Sequence, residues 1–393
     1  MKKVLIIRHA YYPSDPRVRK EAVALIDKAY EVDVICLRNK SEQSRDNVYG
    51  VNIYRIPLSH KRRGVTRYIF EYTVSFLLFA LVVPFLYFKK RYDVIQVNTM
   101  PDFLVFVTLI PKLCGAKVVL DLHEPVPELW VTKYGPSPYR FMFWAQARLE
   151  QLAICYADGC LTVTEALRRR FGERGANIDK VVVIPNVCDE TTFFFDSDAK
   201  KHDFEGKFTV VTHGLIEERY GHALVVRAVN ELRDKLPDLL FEIVGDGEYR
   251  ARIERLVRDL KCEDYVHFSG YVSTDQLLQK IRGADVVIIS MQASPYSELI
   301  DTNKMYEYVA LRKPVIASHL PSLTDNFDDS CLQFFEPGNH EDLARCILKL
   351  YHNPEKRHEL VENAYRRYEK VRWRETKKIY LKVIENLIGE RKE

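Results

Sequence analysis

The 393-residue chain holds eight cysteines but no C-x-x-C pair and no His/Cys group at zinc spacing. Most of these thiols sit in apolar runs such as VICL and LAICYADGCL, where a free cysteine acts as a small core residue. The expectation is a reducing compartment, with no disulfide framework and no structural metal. An excess of one charge is missing too. The 59 basic and 55 acidic residues leave a net charge of +4, too even to argue for a nucleic-acid partner. No unit repeats at a period of about 20–50 residues, which excludes a solenoid or propeller. With 47% hydrophobic residues, 16 Gly and 17 Pro, long disorder is excluded as well. The opening MKKVLIIRHA has an apolar run of four, too short for a secretion signal, so export by that route is not expected.

Long apolar runs are nearly absent, with one exception at Val74 to Phe88. These 15 uncharged residues fall short of the about 18 that span a bilayer, and Pro84 interrupts them. Lys61, Arg62, Arg63 and Arg67 precede the run, and Lys89, Lys90 and Arg91 follow it. Two compatible readings result: a helix packed on the core, and a helix that also rests on an anionic membrane surface through 61–91.

What the chain does contain is a sustained alternation of strands and helices. Aliphatic runs at 3–8, 32–37, 51–56, 94–97, 117–120, 159–163 and 181–184 read as strands. Helical periods at 18–28, 74–88, 103–113, 141–156 and 165–171 lie between them. The pattern stops in the charged, aperiodic stretch before Lys207, then restarts with strands at 208–212, 240–244, 266–269, 286–289 and 315–317. The fold class is therefore α/β, with two Rossmann-like doubly wound domains facing a cleft, 1–190 and 207–373, joined by a linker at 191–206.

In such sheets a ligand sits beyond the carboxyl ends of the strands, so the strand-end turns carry the candidates. After 208–212 comes HGLIEERYGH, where Gly214 permits close backbone approach and Arg219 offers a fork suited to phosphate oxygens. GDGEY after 240–244 reads as a packing turn. In GYVS, Gly270, Tyr271 and Val272 can meet a flat base through backbone groups. DLHEPVPE places His123 and Glu124 at a strand end. Tyr11, Asp15, Arg17 and Arg19 lie at the mouth of the first strand, and Asn98 and Asp102 follow another. The stretch 298–318 pairs a polar loop (Glu298, Asp301, Thr302, Asn303, Lys304) with a helix carrying Glu307. A loop of that kind can turn N–H groups and the positive helix end toward an anion. Taken singly, each turn is also what an ordinary surface connection looks like.

As an ordered set the segments are more specific. DPRVRKEA, QVNTMPD, DLHEPVPE, ADGCLTVTEAL, VIPNVCD, HGLIEERYG, IVGDGE, VHFSGYVS and KMYEYVALRKPVIAS resemble, in order and spacing, the retaining family 4 (group 1) nucleotide-sugar glycosyltransferases of GT-B architecture. The resemblance covers nearly the whole chain. It implies that the C-terminal domain binds the donor and the N-terminal domain the acceptor, with 374–393 crossing back after VRWRE. By position, Arg219 resembles the pyrophosphate-binding residue, and Glu307 matches the second glutamate of the E-x7-E motif, which holds the donor ribose. His123 resembles the N-domain histidine near the transferred sugar. A second basic residue would fall at Leu215, so Lys304 is the candidate for that charge; the first glutamate would fall at Leu299. The sugar would then be held by Glu298 after a loop shift, by Asp301, or by backbone N–H groups of 301–303.

The implied reaction is retaining glycosyl transfer from a UDP or GDP sugar to a hydroxyl of a glycan or lipid-linked glycan, in cell-surface polysaccharide synthesis. No metal and no cofactor beyond the donor are expected, and no nucleic acid. The implied location is cytoplasmic, at the inner face of the plasma membrane. The alternatives are a GT-B sugar-nucleotide epimerase and a catalytically silent sugar-nucleotide or membrane-binding subunit.

Overall fold

A computed structural model describes residues 1–59, 65–135, 140–202, 204 and 206–389; Lys61, Arg62 and Arg63 lie outside the described residues. The chain divides into two compact units, Met1–Asn186 with Arg374–Glu393, and Val187–Trp373.

In the first unit β1 (Lys3–Arg8) leads to α1 (Pro16–Asp27), followed by β2 (Glu31–Leu37), β3 (Arg45–Val48) and β4 (Val51–Ile56). Then come α2 (Val65–Lys90), β5 (Val94–Asn98), a 3-10 stretch Asp102–Thr108, α3 (Leu109–Leu113) and β6 (Lys117–Leu122). The unit continues with α4 (Val126–Tyr134), α5 (Arg140–Tyr156), β7 (Gly159–Thr162), α6 (Glu165–Glu173) and β8 (Val181–Val183). Its sheet order is β3-β4-β2-β1-β5-β6-β7-β8. Every pairing is parallel except β3 with β4. Val4, Leu5, Ile6 and Ile7 are all buried, as a strand with parallel neighbours on both sides requires. Helix α1 starts where Asp15 accepts hydrogen bonds from the amides of Arg17 and Val18.

Four local features differ from the sequence reading or add to it. The segment 103–113 is not one helix but a 3-10 stretch followed by α3; the β-branched Val105, Val107 and Thr108 favour a helix less than straight-chain residues would. The HEPVPE segment opens α4, and 45–48 adds an antiparallel edge strand. Pro84 does not interrupt α2, which runs on for 26 residues. By length and composition, Phe70–Lys90 is long and apolar enough to cross a membrane. Its inner face, with Phe79, Val83, Leu86 and Tyr87, is buried. Tyr87 donates to the Cys114 carbonyl at 2.8 Å, and Lys90 reaches Glu31 at 2.8 Å and Asp33 at 3.0 Å. The opposite face exposes Phe70, Leu77, Leu81, Phe85 and Phe88.

The second unit comprises β9 (Phe208–His213), α7 (His222–Leu232), β10 (Leu239–Val244), α8 (Arg250–Asp259), β11 (Val266–Gly270) and α9 (Thr274–Gly283). It goes on through β12 (Val286–Ile289), α10 (Asn303–Ala310), β13 (Val315–Ser318), α11 (Pro321–Thr324), β14 (Gln333–Phe335), α12 (His340–His352) and α13 (Pro354–Val371). The order β11-β10-β9-β12-β13-β14 is the 3-2-1-4-5-6 winding, so its topological switch point lies between β9 and β12. Segment 191–206, read from its charges as a linker, belongs to this unit. Phe194, Phe195 and Phe204 lie against Arg282, Arg312 and Lys280. These cation–aromatic contacts, which carry no periodic signature, hold it in place. The last helix, α14 (Trp373–Gly389), returns to the first unit, where the Tyr380 hydroxyl donates to Oε1 of Gln96 at 2.8 Å.

Candidate functional site

At the switch point β9 ends in a buried His213, whose ring and amide meet two residues of α10. The His213 amide donates to the Tyr308 oxygen at 3.1 Å, Nδ1 lies 2.9 Å from the same oxygen, and Nε2 lies 2.8 Å from Oε2 of Glu307, a carboxylate oxygen that can only accept. Burial raises the Tyr308 hydroxyl above its ordinary value, which keeps it protonated. The other Glu307 oxygen has no hydrogen-bond partner among the described residues. His213 was not among the sequence candidates, although its place as the last strand residue before Gly214 is a readable signal.

Two cations stand beside this carboxylate. Gly214 has φ +108°, and a Cβ there would lie 2.9 Å from Cε of Lys304; its absence leaves room for the lysine stem. The Lys304 Nζ sits 4.3 Å from the centroid of the Tyr220 ring. Burial pushes its ammonium down to about 8, against the pull of Glu307 and with the help of Arg219. The Arg219 guanidinium lies 5.0 Å and 5.2 Å from the Tyr220 and Tyr296 centroids, while its Nε is 2.7 Å from Glu217. Two rings and one carboxylate therefore fix the fork.

Helix α10 brings its N-terminus to the same cluster. Thr302 occupies the N-cap position without a side-chain capping bond, so the first-turn amides of Asn303 and Lys304 lack a protein partner from that source. Two cations, an uncapped helix end and a carboxylate with a spare oxygen suit an anion joined to a diol. The GDGEY turn supports them by packing, since a Cβ on Gly245 would lie 1.9 Å from the Gly214 carbonyl oxygen.

The remaining C-terminal candidates are placed differently. Glu298 is exposed on its loop, while Leu299 is buried. Both Asp301 oxygens are shielded from solvent without a well-formed hydrogen bond, and burial pushes the carboxyl up to about 7. The Asp301 side chain faces inward beside Tyr306. Of the three ways of holding a sugar, the backbone amides of 301–303 are the one closest to the uncapped helix start. The Tyr271 side chain stands 92% exposed after β11, and Val272 is half-buried.

In the first unit, His123 follows β6 and is held from two sides. Its Nε2 is 3.1 Å from an Arg8 guanidinium nitrogen, and its Nδ1 is 3.3 Å from Oδ2 of Asp121. Arg8 also pairs with Asp15 at 2.8 Å and donates to the Thr99 carbonyl. Arg17, expected at the strand mouth, is instead buried and forks Asp121 at 2.9 Å and 2.8 Å. Burial works against ionising Asp121, but Arg17 and then His123 overcome it and hold the carboxyl below the usual range. Asn98 donates to the same carboxylate at 2.8 Å. Asp121 thus orients His123 from beneath.

Residues 194–367 match the family model described as glycosyl transferases group 1, and residues 14–187 match the glycosyl transferase 4-like domain. Sulfoquinovosyl transferase SQD2 of Arabidopsis thaliana is 24% identical over 293 residues, 72% of this chain and 54% of that protein. The chain spans about half the length of the first curated relatives it matches. Among solved structures, sucrose-phosphate synthase of Thermosynechococcus elongatus aligns with a TM-score of 0.80 at 18% identity, covering 99% of this chain and 100% of that one. Anabaena HepE in complex with UDP-glucose aligns with a TM-score of 0.72 at 17% identity, with coverage of 99% and 100%. Together with the two parallel-sheet units, these matches identify the chain as a glycosyltransferase of the group 1, family 4 type, with the GT-B fold.

Proposed function

We propose that this glycosyltransferase moves a sugar from a UDP or GDP sugar to a hydroxyl of a glycan or lipid-linked glycan, retaining the anomeric configuration, in cell-surface polysaccharide synthesis. The observation that carries this reading is the grouping of Arg219, Lys304, the α10 N-terminus and the His213–Glu307 pair at the β9/β12 switch point. Charge develops on the leaving diphosphate, and preorganised cations with an uncapped helix end are what such a transition state needs. The spare Glu307 oxygen accepts from the donor ribose, and the 301–303 amides meet the sugar or phosphates. Neither a metal nor a further cofactor has a role in this scheme. HepE, which shares the fold, is a complex with UDP-glucose and supports the donor class.

The acceptor class follows from α2. Its exposed apolar stripe, with Leu109, Ile110 and Leu113 exposed on neighbouring α3 and Lys89 and Arg91 at its end, suits an anionic membrane surface. The enzyme then works in the cytoplasm at the inner face of the plasma membrane. The test is a thermal-shift screen of nucleotide sugars, since a ligand at about 100 times its Kd stabilises the native state by about 2.7 kcal/mol. One UDP or GDP sugar is expected to raise Tm and, with acceptor, to give a product whose anomeric proton shows retention. Nucleotide release without a sugar-bearing product overturns the reading.

A further inference from the structure

A second site lies wholly within the first unit. A cavity of about 300 Å³ is bounded by α2, the turn after β5, α4 and α5. That volume is at the lower end of the about 300–1,000 Å³ typical of small-molecule sites. Met100, Phe103, Leu129, Met142 and Leu149 make it apolar, unlike the walls a sugar would need. Tyr72 reaches it from α2, the helix whose far face exposes the apolar stripe, and packs edge-on against Phe103 with centroids 6.4 Å apart.

Two polar groups in this wall lack partners. Asp102 is only 6% exposed, and its Oδ1 is fully buried with no hydrogen bond among the described residues. Oε1 of Gln146 is also buried and unpaired. An unpartnered buried carboxyl costs stability, so a group that satisfies it from within the cavity has a reason to be there. Burial, and after it the charge of Glu150, pushes the Asp102 carboxyl up to about 8, so near neutrality it presents an uncharged group rather than an anion. The wall also adjoins His123: Met100 follows Thr99, whose carbonyl accepts from Arg8, and that guanidinium is 3.1 Å from His123.

We infer that this cavity binds the hydrocarbon chain of a lipid-linked acceptor, with Asp102 hydrogen-bonded to a neutral hydroxyl that the chain carries. The inference rests on the proposed acceptor class but concerns residues that the donor site does not use.

The experiment titrates the full chain with bromodecanol and with bromodecane, following heavy-atom quenching of Trp130, which lines the cavity. Wild type is expected to show saturable quenching that is lost in Trp130→Phe, with the alcohol binding about tenfold tighter than the bromoalkane. Val126→Phe, which fills the cavity, raises both half-saturation points at least about tenfold. Asp102→Leu keeps hydrocarbon binding but brings the two probes to equal affinity. Circular dichroism and Tm establish that each variant is folded. Non-saturable quenching in wild type, or a folded Val126→Phe with unchanged half-saturation, overturns the inference. Saturable binding in a protein that transfers no sugar supports the cavity's occupant while defeating the proposed function. Sugar transfer whose acceptor KM ignores alkyl chain length defeats the inference alone.

Discussion

The Nε2 of His213 lies 2.8 Å from Oε2 of Glu307, and because a carboxylate oxygen only accepts, that Nε2 carries the hydrogen. The histidine aims the carboxylate and leaves its other oxygen without a hydrogen-bond partner among the described residues, open to a diol in the proposed donor site. His213→Ala is expected to weaken nucleotide binding about tenfold, the loss of one charge-assisted hydrogen bond, while Tm changes little. Calorimetry with UDP and GDP checks this; an unchanged Kd means Glu307 does not depend on His213.

In the proposed donor site, Lys304 is expected to make nucleotide binding proton-linked. Its folded value of about 8 lies below the ordinary 10.5, so the stability tied to its neutral form is complete above about 10.5 and lost as pH falls through about 8. A bound diphosphate reverses the shift by favouring the ammonium. Between about pH 8 and 10, binding is therefore expected to take up protons. Calorimetry in two buffers of different ionisation enthalpy measures that uptake, and Lys304→Met should abolish it.

The central strands of both sheets are legible in the chain because they are unbroken aliphatic runs, buried on two faces, whereas the polar edge strand β3 and the three-residue β14 carry no such run. The proposed donor cluster is partly legible for the same reason: Arg219, Lys304 and Glu307 follow strand ends. Three features are not. His213 looks like the end of a buried strand, since nothing local announces that Tyr308, 95 residues away, meets its ring nitrogen. Arg17 looks like a free cation at a loop until Asp121, 104 residues on, is placed beneath it. Asp301 lies in a polar loop, yet its side chain is buried beside Tyr306. In each case the deciding partner or burial is tertiary.

The Arg17–Asp121 pair predicts a large asymmetry. Arg17→Met leaves Asp121 buried without its counter-ion and is expected to cost about 3–5 kcal/mol in urea unfolding at neutral pH. Because the Asp121 carboxyl is held below its ordinary range, the stability it contributes is present above that range and lost as pH falls through the folded value. The wild-type advantage over Arg17→Met should therefore narrow in acid. A loss under about 1 kcal/mol at neutral pH would show the fork to be dispensable.

The outer face of α2 is tested apart from the donor site. Leu81→Asp with Phe85→Asp should abolish co-sedimentation with vesicles of phosphatidylglycerol and leave Tm within about 2 °C, since both side chains are exposed. Retained binding by the double variant removes α2 as the membrane contact.

The most direct measurement is calorimetric titration of wild type, Arg219→Ala and Glu307→Ala with UDP-glucose and a panel of other UDP and GDP sugars. One donor should bind wild type, and each substitution should weaken it at least about tenfold without unfolding the protein. Binding of no nucleotide sugar by wild type, or equal binding by both variants, contradicts the assignment of the donor site to the β9/β12 switch point.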